Sequence, residues 1–258
     1  MDTEETEAPC AFDTLLAKNV PHILESIFLS LDYKSFKDCL EVNKTWNGLL
    51  TSESFQVKAK LVFHEDIVNE QKELWHASMW GKVEVVKRIL SSIMVDMNCP
   101  GGFNDSTPLC EAASEGHKEV AQLLLQRGAE PDKADKLGQT PLYWAAMTGH
   151  RGVAEVLLDG GADPNRTVER NVTPLHQAAL KGHKNVVTLL LERGAHPDKA
   201  CTGFLFGSTP MTFALESGHK EIYRIIKRHR DAKRAKRSRR ELKELCGAIT
   251  KYKRCVHD

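Results

Sequence analysis

The chain has 258 residues, of which 41% are hydrophobic, and 36 basic residues nearly balance 35 acidic ones. This length predicts one or two domains. The seven cysteines are scattered without a paired spacing, which argues against a disulfide framework and for a reducing compartment. We find no apolar run of the roughly 20 residues that a membrane span needs and no secretory signal. We therefore expect a cytoplasmic or nuclear protein without a membrane contact.

The N-terminal region differs in kind from the rest of the chain. Residues 1–11 carry four acidic and no basic side chains, which predicts a disordered acidic tail. In residues 12–55 the apolar spacing predicts three short helices, the first opening at Pro21. A unit below about 40 residues is rarely stable alone. We therefore expect it to need a partner surface or the repeats that follow.

These helices resemble an F-box, whose pattern runs L-P, I-L, I-F-x-x-L, V-C-K-x-W and L. The residues in register are Val20-Pro21, Ile23-Leu24, Ile27-Phe28, Leu31, Val42, Lys44, Trp46 and Leu49. Val20 and Asn43 depart from the pattern, which has leucine and cysteine there. The resemblance implies binding to the adaptor of an SCF ubiquitin ligase, in which the contacts or the local fold use Pro21, Leu24, Phe28, Leu31 and Trp46. The alternative is a three-helix cap for the repeats.

Residues 56–72 predict a helical linker with Ala59, Val62 and Phe63 on one stripe. After it, glycines recur at 81, 116, 149, 182 and 218, and this period of about 33 residues predicts a stack of repeated units. In one copy, Thr140-Pro141 opens a first helix and Gly149 ends it. A second helix follows and ends at Gly161.

The repeats resemble ankyrin repeats. The family motif T-P-L-H-x-A-A-x-x-G-H is matched by Thr173–His183, and weaker versions start at Thr107, Thr140 and Thr209. The resemblance implies an all-α fold, in which the three-helix F-box precedes an ankyrin-repeat α-solenoid with β-hairpin loops. The repeats occupy 73–228, as about five copies at 73–98, 106–132, 139–165, 172–198 and 208–228. The first copy is degenerate, and we expect its Trp80 to pack as a cap.

One face of this stack is predicted to bind a substrate protein. Insertions in repeat arrays map to loops that often form the binding face, and the loop before the last repeat contains Phe204-Leu205-Phe206. Aromatic anchors are enriched in binding hot spots. The predicted contact residues are Leu137, Tyr143, Trp144, Met147, Gln177, Leu180, Lys181, Phe204, Leu205, Phe206 and Phe213. Alternatively, Phe204 or Phe206 folds back onto the last repeat.

The histidines invite a metal interpretation that the spacing disfavours. His117, His150, His183 and His219 each follow an anchor glycine, so they lie one repeat apart, too far to converge on one ion. We therefore predict no metal and no cofactor. Motifs for phosphate binding or nucleophilic catalysis are not recognisable, and we expect a non-catalytic interaction subunit.

The C-terminal residues 229–258 predict a basic helix or tail. Lys227–Lys243 contains ten basic and two acidic residues, a net charge of +8, which leaves the rest of the chain at −7. This run suggests nuclear import or contact with nucleic acid or an acidic protein; the alternative is a solvated helix end. No aromatic residues interleave with the bases, which disfavours base stacking.

The segment after it is similar to the start of a SOCS box, the elongin-binding element. The apolar stripe that carries the resemblance is Leu242, Leu245, Cys246, Ile249 and Tyr252, and Gly247 departs from the family arginine. A helix that packs on the last repeat is the alternative.

We predict a substrate-recognition subunit of an SCF-type cullin-RING ubiquitin ligase. The alternatives are a non-ligase ankyrin scaffold with a basic nuclear or nucleic-acid-binding tail, and an elongin-linked receptor.

Overall fold

The computed structural model describes residues 29, 31–36, 59, 62–91, 95–102, 104–202 and 208–255. The chain divides into two compact units, residues 1–74 with 84–96, and residues 75–83 with 97–258. Of the predicted adaptor contacts, Leu31 is described, while the others lie outside the described residues, namely Pro21, Leu24, Phe28 and Trp46. Phe204, Leu205 and Phe206 also lie outside them.

The first unit is held together by aromatic packing around Phe36. Residues 33–36 form a helical turn, which Asp32 caps by accepting a hydrogen bond from the Ser35 backbone N–H at 3.0 Å. Phe36 is fully buried, and its ring stacks on Phe63 with centroids 4.8 Å apart. The Tyr33 hydroxyl donates to Glu70 at 2.6 Å. The predicted linker therefore packs on the described part of the segment that resembles an F-box.

The described helices are short, apart from the first and the last, and in the second unit each packs on the helix that follows it within its repeat. They are α1 (His64–Met79), α2 (Val83–Leu90), α3 (Pro108–Glu115), α4 (Lys118–Gln126), α5 (Pro141–Thr148), α6 (Arg151–Asp159), α7 (Pro174–Lys181), α8 (Lys184–Glu192), α9 (Pro210–Glu216) and α10 (Lys220–Cys255), with a 3₁₀ turn at Glu169–Asn171. In the second unit, α3, α5, α7 and α9 pack side by side in sequence order, and α4, α6, α8 and α10 form the second layer. This arrangement is an α-solenoid.

The loops of the solenoid contain little extended structure. The described residues include no strand, and Gly101 forms an isolated antiparallel bridge with Ser106. The predicted β-hairpins therefore stay a prediction.

Threonine and proline set the start of the first helices α3, α5, α7 and α9. The hydroxyl of Thr107 accepts from the Cys110 backbone N–H at 3.2 Å, and Thr140 accepts from Tyr143 at the same distance. The proline that follows occupies the first turn, where its missing N–H is no loss. The Thr-Pro step therefore fixes where each of these helices begins, and with it the register of the residues along the face.

Small and aliphatic residues form the core between the layers. Leu109, Leu142 and Leu175 occupy the same place in successive first helices and are almost completely buried. The alanine pair that follows each of them is fully buried as well, as at Ala145 and Ala146. Side chains this small let neighbouring first helices approach closely, so each repeat buries its apolar face against the next one.

An imidazole-on-glycine contact joins successive repeats. Gly149 ends α5 in the left-handed conformation, with φ +87°, and a Cβ there would lie 2.5 Å from Nδ1 of His183. His183 donates from Nε2 to the Met147 carbonyl at 3.0 Å. The other pairs with this packing are Gly81 with His117, Gly116 with His150, and Gly182 with His219. Each histidine thus packs against the C-terminal end of a helix in the preceding repeat.

Replacing Gly149 with alanine should therefore cost more stability than the same change at Gly161. Both glycines have positive φ, but a Cβ at Gly161 would meet nothing within 4 Å. We expect Gly161→Ala to lose about 1–2 kcal/mol from backbone strain. Gly149→Ala should lose roughly 1 kcal/mol more, because the displaced imidazole gives up its hydrogen bond. Urea unfolding of both variants measures this, and equal losses would contradict the packing role of His183.

Candidate functional site

The predicted substrate face is partly buried within the stack. Leu137 is 46% exposed, whereas Tyr143 is 6% exposed. Tyr143 packs with Val172 and Cys201, and this cluster is flanked by partly buried Met147, Val168 and Phe213. Trp144, Gln177 and Leu180 are half-buried, and Lys181 is exposed. Leu137 and Lys181 therefore offer the most accessible surface of the predicted set.

Tyr143 supports this face by holding the side chain of Gln177 in place. Its hydroxyl accepts a hydrogen bond from Nε2 of Gln177 at 2.6 Å, and burial raises the pKa of its phenol. Tyr143 therefore stays protonated at neutral pH and holds the Gln177 amide of the next repeat in place.

A second feature of the same stack is a small cavity with two indole rings in its wall. Its volume is about 240 Å³. We call it the indole pocket, and its lining residues are Trp75, Asn104, Ser106, Cys110, Glu111, Ser114, Asp135 and Trp144. The cavity is smaller than the roughly 300–1,000 Å³ of sites for drug-sized ligands. It is therefore suited to a single side chain rather than to a whole small molecule.

Trp75 forms one wall and is fixed by the loop that follows it. Its indole Nε1–H donates to the Ser106 carbonyl at 3.1 Å and lies 3.2 Å from the Ser106 hydroxyl oxygen. Gly101 and Gly102 lie flat against the ring, since a Cβ at either would come within 2.6 Å of it. The Ser106 hydroxyl donates to Glu111. The indole and the carboxylate are thus held by the same serine.

Asp135 and Trp144 also line the pocket. Asp135 is 7% exposed, and its Oδ1 accepts the backbone N–H groups of Leu137 at 2.9 Å and Gln139 at 2.8 Å. The indole of Trp144 donates to Oδ2 at 3.3 Å. These bonds hold the carboxylate in place through neutral donors. In the part of the chain that the structure describes, neither Asp135 nor Glu111 has a basic partner in an ion pair.

The chemistry of the indole pocket is that of binding. Burial raises the pKa of the Cys110 thiol to about 11, so it stays protonated at neutral pH and is a poor nucleophile. The described residues include no group of three His, Cys, Asp or Glu side chains placed to hold a metal ion. What the pocket offers is two aromatic rings and two carboxylates, which together favour a cation.

Sequence reasoning found one wall of this pocket and missed the other residues. Trp144 was predicted, but Glu111 was not, although it occupies the same repeat position four residues after its Thr-Pro threonine. Trp75 falls within the degenerate first copy at 73–98, for which the sequence predicts no binding residue. Aligning the repeats on their threonines would have placed Glu111 next to Trp144. No sequence pattern predicts the contact between Trp75 and Ser106.

Comparison with known proteins agrees with the repeat architecture. The family model described as ankyrin repeats, three copies, matches residues 74–168 and residues 166–237. The ankyrin repeat and KH domain-containing protein mask-1 of Caenorhabditis elegans is 38% identical over 83 residues. The aligned stretch makes up 32% of this chain and 3% of that protein, so the similarity is to one small part of a far longer relative.

In the described ranges, no helix combines the length and the apolar character that crossing a bilayer requires.

Acid should destabilise the stack through His176, which is 1% exposed. Its Nδ1 accepts the Thr173 backbone N–H at 3.1 Å, and burial lowers its pKa from 6.5 to about 4. The unfolded chain therefore takes up this proton first, and stability falls as the pH drops through 6.5 towards 4. Between pH 7 and pH 5 the loss should be about 2 kcal/mol.

The variant His176→Asn keeps a polar side chain at this position without the titration. Urea unfolding at pH 7 and pH 5 measures the free energy of unfolding. In the variant, the difference between the two values should be smaller by the roughly 2 kcal/mol assigned to His176. A pH dependence as large as that of the unsubstituted chain would contradict the assignment to His176.

Proposed function

This chain belongs to the ankyrin-repeat family, and on that premise we propose that it is the substrate-recognition subunit of an SCF-type ubiquitin ligase. Ankyrin repeats support a protein-interaction role. The finer proposal adds that the segment resembling an F-box binds the ligase adaptor, while the repeat face binds the protein to be modified. The bond-making groups then belong to other subunits, and this chain contributes proximity.

The observation that carries the receptor role is the composition of the indole pocket. The Trp75 and Trp144 indoles and the Glu111 and Asp135 carboxylates together line a cavity of about 240 Å³. A cation over an indole gains about 0.5–2 kcal/mol, and carboxylates add charge-assisted hydrogen bonds. We therefore assign to this pocket a lysine or arginine side chain of the partner protein.

The adaptor role rests on the register of Val20–Leu50 and on the packing of the residues after it. Phe36 and Phe63 stack, and Tyr33 bonds to Glu70 of α1. A linker that packs on this segment makes the segment and the linker one unit. Adaptor binding by a unit of this kind would hold the start of α1 at a fixed position on the ligase.

The adaptor role is tested by combining Leu24→Ala with Trp46→Ala. We expect this double variant to lose co-purification with the SCF adaptor, because it removes two apolar contacts of the predicted interface. Circular dichroism should show that the repeats stay folded. Adaptor recovery equal to that of the unsubstituted chain would contradict the proposal, and recovery of elongin would favour the SOCS-box alternative.

The receptor role is tested by reversing the charge of the pocket with Glu111→Lys. On an array of synthetic peptides of varied charge, we expect the unsubstituted chain to retain peptides that contain lysine or arginine. Glu111→Lys should weaken that retention by about tenfold, since like charges in an interface repel. The measurement is the bound fluorescence of each peptide at a fixed protein concentration.

Glu115→Lys is the matched control, because it makes the same charge change on the same helix, at an exposed position outside the pocket lining. It should retain the basic peptides. Equal losses in the two variants would show a general charge effect and contradict the pocket. Adaptor co-purification should survive in Glu111→Lys, so failure of one proposed interface is distinguishable from failure of the other.

A further inference from the structure

A larger groove lies between α10 and the turn that follows α8. Its volume is about 600 Å³. We call it the basic groove, and its lining residues are His196, Pro197, Asp198, Lys199, Arg230, Lys233, Arg234 and Arg237. The indole pocket shares none of these residues, so what is argued for this groove stands independently of the receptor and ligase proposals.

The basic side chains of the groove share one face of α10. Arg230, Lys233, Arg234 and Arg237 are spaced three, four and seven residues from the first of them, which places them along a single stripe of the helix. Lys199 comes from the turn on the opposite wall. The spacing therefore places four of the ten basic residues of the run 227–243 on one concave surface.

Acidic side chains neutralise only part of this charge among the described residues. Arg234 pairs with Asp198 at 3.3 Å, and Arg230 pairs with the neighbouring Asp231 at 3.2 Å. Within the same described ranges, Lys199 and Lys233 have no ion-pair partner. The Arg234–Asp198 contact also shows that a carboxylate fits between the turn and the helix.

We propose that the basic groove binds an acidic peptide segment of a partner protein. Guanidinium groups bind carboxylates through charge-assisted hydrogen bonds, and Arg234 already donates one to Asp198 at 3.3 Å. A volume of about 600 Å³ accommodates a few side chains of an extended segment. The long-range field of the +8 run speeds the approach of such a segment.

Three observations favour an acidic protein over nucleic acid. The lining contains no tryptophan, tyrosine or phenylalanine ring on which a base could stack, and its one imidazole is that of His196. The turn at 196–199 lies against the basic face of α10, whereas a helix that reads DNA must enter a major groove about 12 Å wide. The rest of the chain carries a net charge of −7, which repels a duplex, with one phosphate charge per roughly 1.7 Å of its length, more strongly than a peptide segment whose acidic residues are spaced further apart.

The test uses the full-length chain and a fluorescein-labelled peptide of alternating glutamate and serine. Fluorescence anisotropy measures its affinity for the unsubstituted chain and for the double variant Lys233→Glu with Arg237→Glu. Loss of two groove cations and gain of two anions should weaken binding by more than about tenfold. Binding should also weaken with added salt.

The matched control is Lys236→Glu with Arg239→Glu, which makes the same charge change on exposed positions of α10 outside the groove lining. We expect a change of roughly twofold or less, from the general field alone. Glu111→Lys, in the indole pocket, should bind the acidic peptide at least as well as the unsubstituted chain. Equal losses in the two double variants would overturn the groove as a site.

Two further arms decide what the groove binds. If labelled single-stranded or duplex oligonucleotides bind more tightly than the peptide, and lose affinity in the groove variant, the acidic-protein proposal is overturned in favour of nucleic acid. Should the double variant unfold by circular dichroism, Lys233→Gln with Arg237→Gln replaces it. An affinity unchanged by that milder variant would equally overturn the proposal.

Discussion

The stack depends on a contact in which a histidine of one repeat packs on the glycine that ends the first helix of the preceding repeat. A helix leaves its last carbonyls without partners, and His183 and His219 supply the missing donors at the ends of α5 and α7. The glycine at the end of each of these helices makes room for the ring. A repeat therefore completes its hydrogen bonding only when the next repeat is folded. Stability in such an array passes from neighbour to neighbour.

Both proposed binding surfaces lie at junctions between successive elements of the stack. The indole pocket is lined by residues of successive repeats, with Trp75 from the first copy, Glu111 from the second and Trp144 from the third. The basic groove likewise needs both the turn after α8 and the helix α10. The two sites have opposite charge. A protein with one acidic and one basic binding surface can hold two partners of different composition at once.

The repeat architecture could be predicted from the sequence because its signals are local. A threonine and proline mark the start of each first helix, and a glycine marks its end, so Pro141–Thr148 follows from its own residues. The candidate sites were harder to predict than the repeats, because they depend on which side chains from different repeats come into contact. Tyr143 reads as an exposed anchor, yet Val172 and Cys201 cover it. The segment resembling an F-box is described mainly at residues 31–36, and its role stays a prediction.

The length of α10 has a consequence of its own. The helix contains 36 residues, about 54 Å at the usual rise, while it packs on α8 and α9 near its start. Side chains 231–240 are all exposed, so helicity there depends on local pairs such as Arg240 with Glu244 and is opposed by repulsion among like charges. An anion bound along this arm would reduce the repulsion among the basic side chains and so raise the helix content of the arm. Helix content would then report occupancy.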